Sequence, residues 1–215
     1  MVLISVLVAI AVKPKDGLKP YLLMGSDSKE VLIEAVPLVS GELDFKISTN
    51  ENKEKIFRVN DILVGMTGKH DDTLMVSFIE HLRENDMEFE KLSYLSFDYI
   101  KKYVENENRY DALCAVTMGC CKNSKPILTR FTVDKTKLTD ANIRIIEPPD
   151  NNCIPSYSGK SVGLDDLREK FEKGVRDSIN INLVAVKKTA TEYLKAAAAR
   201  YPETCNQNIR IMYLK

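Results

Sequence analysis

The sequence predicts an α+β fold, a four-layer αββα sandwich in which two antiparallel sheets are flanked by helix pairs. The order of elements carries this expectation. Strand signals, two helices, further strands, two more helices and a last strand follow one another in blocks, without βαβ alternation, which argues for antiparallel sheets with helices on their outer faces. Length and composition agree. The chain has 215 residues, 44% apolar and 29% charged, a globular composition with enough apolar material for one substantial core. No repeat, low-complexity tract or linker divides it, so residues 1–215 read as a single domain.

The elements follow in order. Residues 3–13 and 20–26 are apolar runs separated by KPKDG, whose Pro, Asp and Gly supply turn chemistry, and they read as a hairpin. Lys29 to Asn52 carries mixed strand signals, Val31-Leu32-Ile33 and Phe45-Lys46-Ile47, around Pro37 and Gly41; Ser48 to Glu54 reads as a polar loop. IFRVNDILVGM, residues 56–66, reads as a second hairpin turning at Asn60-Asp61, with the outgoing strand ending at Thr67-Gly68. A helix starts at His70-Asp71-Asp72, where acidic side chains suit the positive end of the helix dipole. Leu74, Met75, Phe78, Ile79 and Leu82 then recur at helical spacing. A second helix covers about 92–106. Strands are expected over 112–120, 126–133 and 143–146, and a loop rich in Pro, Asn, Ser and Gly over 148–161. Leu164, Leu167, Phe171, Val175 and Ile179 mark a third helix. Leu183 to Arg200 forms a fourth that Pro202 stops, and 209–214 is a last strand.

Charge and composition narrow the function. The 31 basic and 31 acidic side chains cancel, which argues against a general nucleic-acid binder, whose affinity rests on clustered positive charge, and leaves room for a local basic patch. The N-terminal run MVLISVLVAIAV has no preceding basic residue, unlike a secretory signal. As a helix it would span roughly 18 Å, too short for a bilayer. It is rich in Val and Ile and reads as a buried first strand of a protein without a membrane partner. Five irregularly spaced cysteines suggest a reducing, cytoplasmic setting. There is no CxxC pair, and His70 and His81 lie far in sequence from every cysteine, so no metal is expected. No glycine-rich phosphate loop occurs, Gly159 and Gly163 being isolated, so no organic cofactor is expected either. The two histidines read as surface or capping residues. Cys120-Cys121 offers thiol chemistry as one function and a strand end with small thiols as the plainer reading.

Three segments carry a family resemblance: VAIAVKPKDGLKPYLLMGSDS (8–28), KIFRVNDILVGMTGKHDDTLMVSFIEHL (55–82) and LVAVKKTATEYLKAAAARYPETCNQNIRIMYL (183–214). In order and spacing the chain resembles the proteasome and HslV-type subunits of the N-terminal-nucleophile hydrolases. The resemblance implies a hydrolase of the threonine-peptidase type, in which autocleavage exposes a Thr, Ser or Cys whose own α-amino group is the general base. It implies that Asp27 is the family aspartate, Lys55 the family lysine and Gly68 the oxyanion glycine, with Lys69 where a second glycine is usual. The segment Ser156 to Ser161 stands for the supporting serine. The nucleophile fits least. Counting back from Asp27 puts it near Leu7, and neither Leu7 nor Val8 has a nucleophilic atom; loss of Met1 alone would expose Val2. Ser5 is the only hydroxyl of the run. Its use requires cleavage after Ile4 and overshoots the expected place by about two residues, roughly 7 Å.

The resemblance therefore implies two functions. In the first, the chain is a proteasome-like subunit without N-terminal threonine peptidase activity. It acts by self-assembly into a homo-oligomer or ring, or by partner binding, with the apolar helix faces at 74–82 and 92–104 as contacts. In the second, it is an active hydrolase that frees Ser5 and cleaves peptides or a small amide substrate, with Asp27, Lys55 and Gly68 in support.

Overall fold

A computed structural model of the chain describes residues 5–15, 17–37, 43–70, 72–159, 163–178, 180 and 182–215, with the backbone alone for 32–37, 43–47 and 72. Several sequence expectations lie outside the described residues: the first four residues of the N-terminal run, Asp16, Gly41, Asp71, Lys160-Ser161 and Ile179. The described strands are β1 (Val6–Lys13), β2 (Tyr21–Asp27), β3 (Glu30–Pro37), β4 (Leu43–Asn50), β5 (Ile56–Val59), β6 (Ile62–Lys69), β7 (Leu113–Lys122), β8 (Lys125–Asp134), β9 (Ile143–Ile146), β10 (Asn152–Gly159) and β11 (Ile209–Leu214). The α-helices are α1 (Asp72–Glu84), α2 (Phe89–Asn106), α3 (Asp165–Ser178) and α4 (Leu183–Arg200), and a 3-10 helix covers Lys135–Asp140.

All described pairings are antiparallel and form three sheets: a four-stranded one in the order β10-β1-β2-β11, a two-stranded ribbon β3-β4, and a five-stranded one in the order β5-β6-β7-β8-β9. This corrects the expected four-layer αββα sandwich of two sheets. Two sequence readings account for the difference. Val31-Leu32-Ile33 and Phe45-Lys46-Ile47 pair with each other over eight residues, Glu30 against Asn50 through Pro37 against Leu43, and so make a sheet of their own. The ribbon also absorbs Ser48–Asn50 from the expected polar loop. The loop expected at 148–161 is in large part strand β10, which pairs with β1 along its whole length. Pro and Gly misled the reading there. Pro155 is tolerated because β10 is an edge strand, where a missing N–H leaves no ladder bond broken.

Side-chain alternation sorts the core. Val6, Val8, Ile10 and Val12 of β1 face one way and pack with Phe171 and Val175 of α3 and Val186, Ala190, Leu194 and Ala197 of α4. The small alanines let α4 approach the strands closely. Val64, Met66, Val116 and Met118 pack with Leu74, Phe78 and Leu82 of α1 and Leu92, Ile100 and Val104 of α2. The intervening residues Leu7, Ala9, Ala11, Leu22 and Met24 meet Ile56, Leu63 and Leu128 of the five-stranded sheet. The apolar residues of α1 and α2 in which the sequence suggested subunit contacts are thus largely core side chains: Leu74, Phe78, Leu82, Leu92, Ile100 and Val104 are all buried.

Candidate functional site

Asp27 ends β2 and is fully buried. Its carboxylate joins three separate pieces of chain. Oδ1 accepts from the backbone N–H of Val6 at 3.0 Å. Oδ2 accepts from the backbone N–H of Lys29 at 3.0 Å and from Lys55 Nζ at 2.9 Å. Lys55 directly precedes β5 and is itself buried. Its ammonium also donates to the Lys29 carbonyl, and its own carbonyl accepts from Met66 N–H at 3.1 Å. An ammonium has three N–H donors, and among the described residues Asp27 and Lys29 take two, which leaves one for a further oxygen. Taking two ions out of water carries a cost of several kcal/mol each, and such a pair persists where its hydrogen bonds are filled, as those of the carboxylate are here.

The start of β1 sits on this knot. Leu7 lies opposite Ser26, and Val6, one residue earlier, gives its N–H to Asp27, so half-buried Ser5 is the residue immediately outside the strand. The residue count places the nucleophile near Leu7, with Ser5 about two residues beyond it. The Asp27 carboxylate reaches the peptide that joins Ser5 to Val6. On the other flank β10 ends at Gly159, which pairs with Val6 at φ +92°. A Cβ there would overlap the Ser5 carbonyl oxygen. Ser158, next to it, bonds Thr117 of β7 at 2.8 Å in the interior between the two larger sheets. Ser26, Thr67 and Ser156 are buried with hydroxyls that have no described partner.

Gly68 stands in β6 opposite Cys114, with φ +132° and no room for a Cβ against the Leu113 carbonyl. Both features demand glycine. No hydrogen bond among the described residues joins Gly68 to the Asp27 network. Lys69, where the resemblance implies a second glycine, is ion-paired to Asp111 at 2.5 Å. The structure therefore brings Asp27 and Lys55 together beside Ser5 and leaves Gly68 in the neighbouring sheet. Sequence reasoning missed Val6, Lys29, Thr117 and Gly159. Backbone groups and cross-sheet partners leave no residue-type signal, and only the glycine was visible at all.

The other candidates fall outside this cluster. Burial pushes the Cys120 thiol up to about 11, with Cys121 and Asp61 adding to the rise and Lys122 opposing it. Burial also raises Cys121, whose Sγ donates to the Pro20 carbonyl at 3.6 Å. A reactive thiol requires the opposite shift. Both cysteines are accordingly expected to stay inert to a disulfide reagent near neutral pH in the folded protein and to react on unfolding; rapid titration of two native thiols would contradict this. His81 stacks on Tyr99 at 4.3 Å between centroids, and burial lowers its pKa. Among the described residues no group of three His, Cys, Asp or Glu side chains could hold a metal ion, and no helix is long and apolar enough to cross a membrane. Comparison with protein-family models finds no matching family, and comparison with curated proteins finds no matching relative.

Proposed function

We propose that this protein is an amide hydrolase of the N-terminal-nucleophile kind, with Ser5 as nucleophile after cleavage of the Ile4–Ser5 bond. The observation that carries the reading is the Asp27 carboxylate, which holds the N–H beside Ser5 with one oxygen and the Lys55 ammonium with the other. The resemblance noted in the sequence supports it. In processing, Ser5 Oγ attacks the Ile4 carbonyl carbon, and the peptide becomes an ester as the Ser5 nitrogen leaves with a proton. That step already frees the Ser5 α-amino group, and water then hydrolyses the ester, releasing the Ile4 carboxylate and restoring the Ser5 hydroxyl. That amine, with an ordinary pKa of about 7.7–8.0, takes the hydroxyl proton when a substrate carbonyl is attacked. The remaining Lys55 N–H favours the ionising oxygen electrostatically. The resemblance assigns the oxyanion donor to the Gly68 backbone N–H, two residues along β6 from Met66, whose own N–H bonds the Lys55 carbonyl. The substrate class is a peptide or a small amide, and the cysteine composition suits a reducing, cytoplasmic setting.

The test is the intact mass of purified, untagged protein and of its Ser5→Ala variant. The parent is expected to begin at Ser5, and the variant to retain Ile4 and to be inert toward amide substrates. Retention of Ile4 by both chains would overturn the reading.

A further inference from the structure

A second cluster lies on the opposite part of the five-stranded sheet. Arg130 of β8 and Arg144 of β9 are direct cross-strand partners. Residues opposite one another on an antiparallel pair share a face, and like charges in that position are destabilising. Both arginines line a cleft of about 280 Å³ together with Thr132, Asn142 and Asp140. Thr132 lies two residues beyond Arg130 on β8, and Asn142 directly precedes β9, next to Ile143, which pairs with Phe131, so both stand at the same end of the cleft. Neither arginine has an ion pair among the described residues, while most other arginines of the chain do. A third guanidinium, Arg168 of α3, is close enough to act on Arg130. It lies over the Tyr157 ring at 4.8 Å, and its Nε is buried with no hydrogen-bond partner among the described residues. Arg130 is exposed, as Arg144 is, and partial desolvation of its head group, then Arg168, then Arg144 lower its pKa from the ordinary value. Asp140 is the one carboxylate of the lining and offsets only part of this charge.

The geometry points to a binding site for the oxyanion of a small ligand, a phosphate or a carboxylate group, held between Arg130 and Arg144. Guanidinium forks match both anions with paired hydrogen bonds. Thr132 and Asn142 add neutral donors, and the anion relieves the repulsion between two facing cations that the folded chain otherwise carries. The inference is independent of the reading of Ser5.

The experiment measures thermal unfolding of the full chain while sodium phosphate, or separately sodium succinate, replaces sodium chloride at constant ionic strength. At least one of the two anions is expected to raise Tm in a saturable manner. Phosphate alone would identify a phosphate-ester group, and succinate alone a carboxylate. In Arg144→Gln the apparent affinity is expected to fall by about tenfold or more, while Tm in chloride stays level or rises because the facing charge is gone. Arg144→Lys, which keeps the charge and loses the fork, is expected to fall between the two. Arg144 is exposed on an edge strand, so these variants fold. No shift beyond chloride, or an equal shift in Arg144→Gln, overturns the proposal.

Discussion

Asp27→Ala is expected to lower the free energy of unfolding by about 3–5 kcal/mol, among the largest effects of any single substitution in this chain. The residue is fully buried, and its removal leaves the Lys55 ammonium inside the protein with only the Lys29 carbonyl as a described partner. It also strips the acceptor from the Val6 and Lys29 N–H groups. Urea unfolding followed by circular dichroism reads the change as a lowered midpoint. The double variant Asp27→Leu with Lys55→Met is expected to recover the part of the loss that comes from the abandoned charge, since replacing a buried ion pair by apolar groups of similar volume is often close to neutral, while the Val6 and Lys29 N–H groups stay without that acceptor. That recovery separates a penalty for one abandoned charge from a general intolerance of the site. The recovered double variant stays unprocessed at Ile4–Ser5 even where it folds well. A loss below about 1 kcal/mol for Asp27→Ala would mean that the pair behaves as a solvated surface bridge.

Gly159→Ala is the second large effect. The residue has φ +92°, and its missing Cβ leaves the space that the Ser5 carbonyl oxygen occupies. The obstacle is backbone, which cannot swing aside as a side-chain tip can. The substitution is expected to cost about 1–3 kcal/mol in overpacking beyond the strain of a positive φ. It also displaces Ser5 from the Asp27–Lys55 pair, so the proposed cleavage after Ile4 is expected to slow by at least about tenfold, since small misplacement of a reacting group carries penalties of that order. Gly17→Ala is the control. Gly17 has a comparable φ of +88° with nothing within 4 Å of an added Cβ, so it reports the conformational cost alone, about 1 kcal/mol. Urea midpoints of the two variants, with intact mass for processing, decide the matter. Equal midpoints would show that the strand start yields at Gly159.

Much of the secondary structure was legible in the sequence, because periodicity and punctuation coincide there. The β5–β6 turn carries Asn60 at φ +52°, and the β7–β8 turn carries Asn123 and Ser124 at +52° and +59°, left-handed positions that polar turn residues tolerate. The helices announced themselves through Leu74, Phe78 and Leu82, and through the alanine-rich run before Pro202. What failed was sheet membership. A strand's partner depends on long-range register, and nothing local in Val31-Leu32-Ile33 or Phe45-Lys46-Ile47 says that they pair with each other and leave the larger sheets. β10 was hidden by Pro155 and its serines, since an edge strand with polar inward positions has the composition of a loop. The site shows the same divide. Asp27 and Lys55 were named through a resemblance that the comparisons do not identify. Counting residues along β1 places Ser5 about two residues beyond the expected nucleophile, and such a count carries no information about the Asp27 carboxylate, which reaches the backbone N–H next to Ser5. Arg130 and Arg144, fourteen positions apart, become neighbours only through their register.

The pairing of β1 with β10 has a consequence in time. Residue 6 finds its partner at 159, and β2, on the other side of β1, takes its last neighbour from 209–214. A ribosome makes β1 long before either flank exists, so Ser5 waits through most of translation without the ladder that holds its backbone. Contacts of such sequence separation also form slowly once the chain is complete. On the proposed reading, chemistry at Ser5 lags behind synthesis, and the appearance of a cleaved chain would serve as a clock for arrival at the native state. Pulse-labelled chains would carry that clock within themselves: the interval between completion and loss of the leading residues would time how long the protein takes to close its sheet.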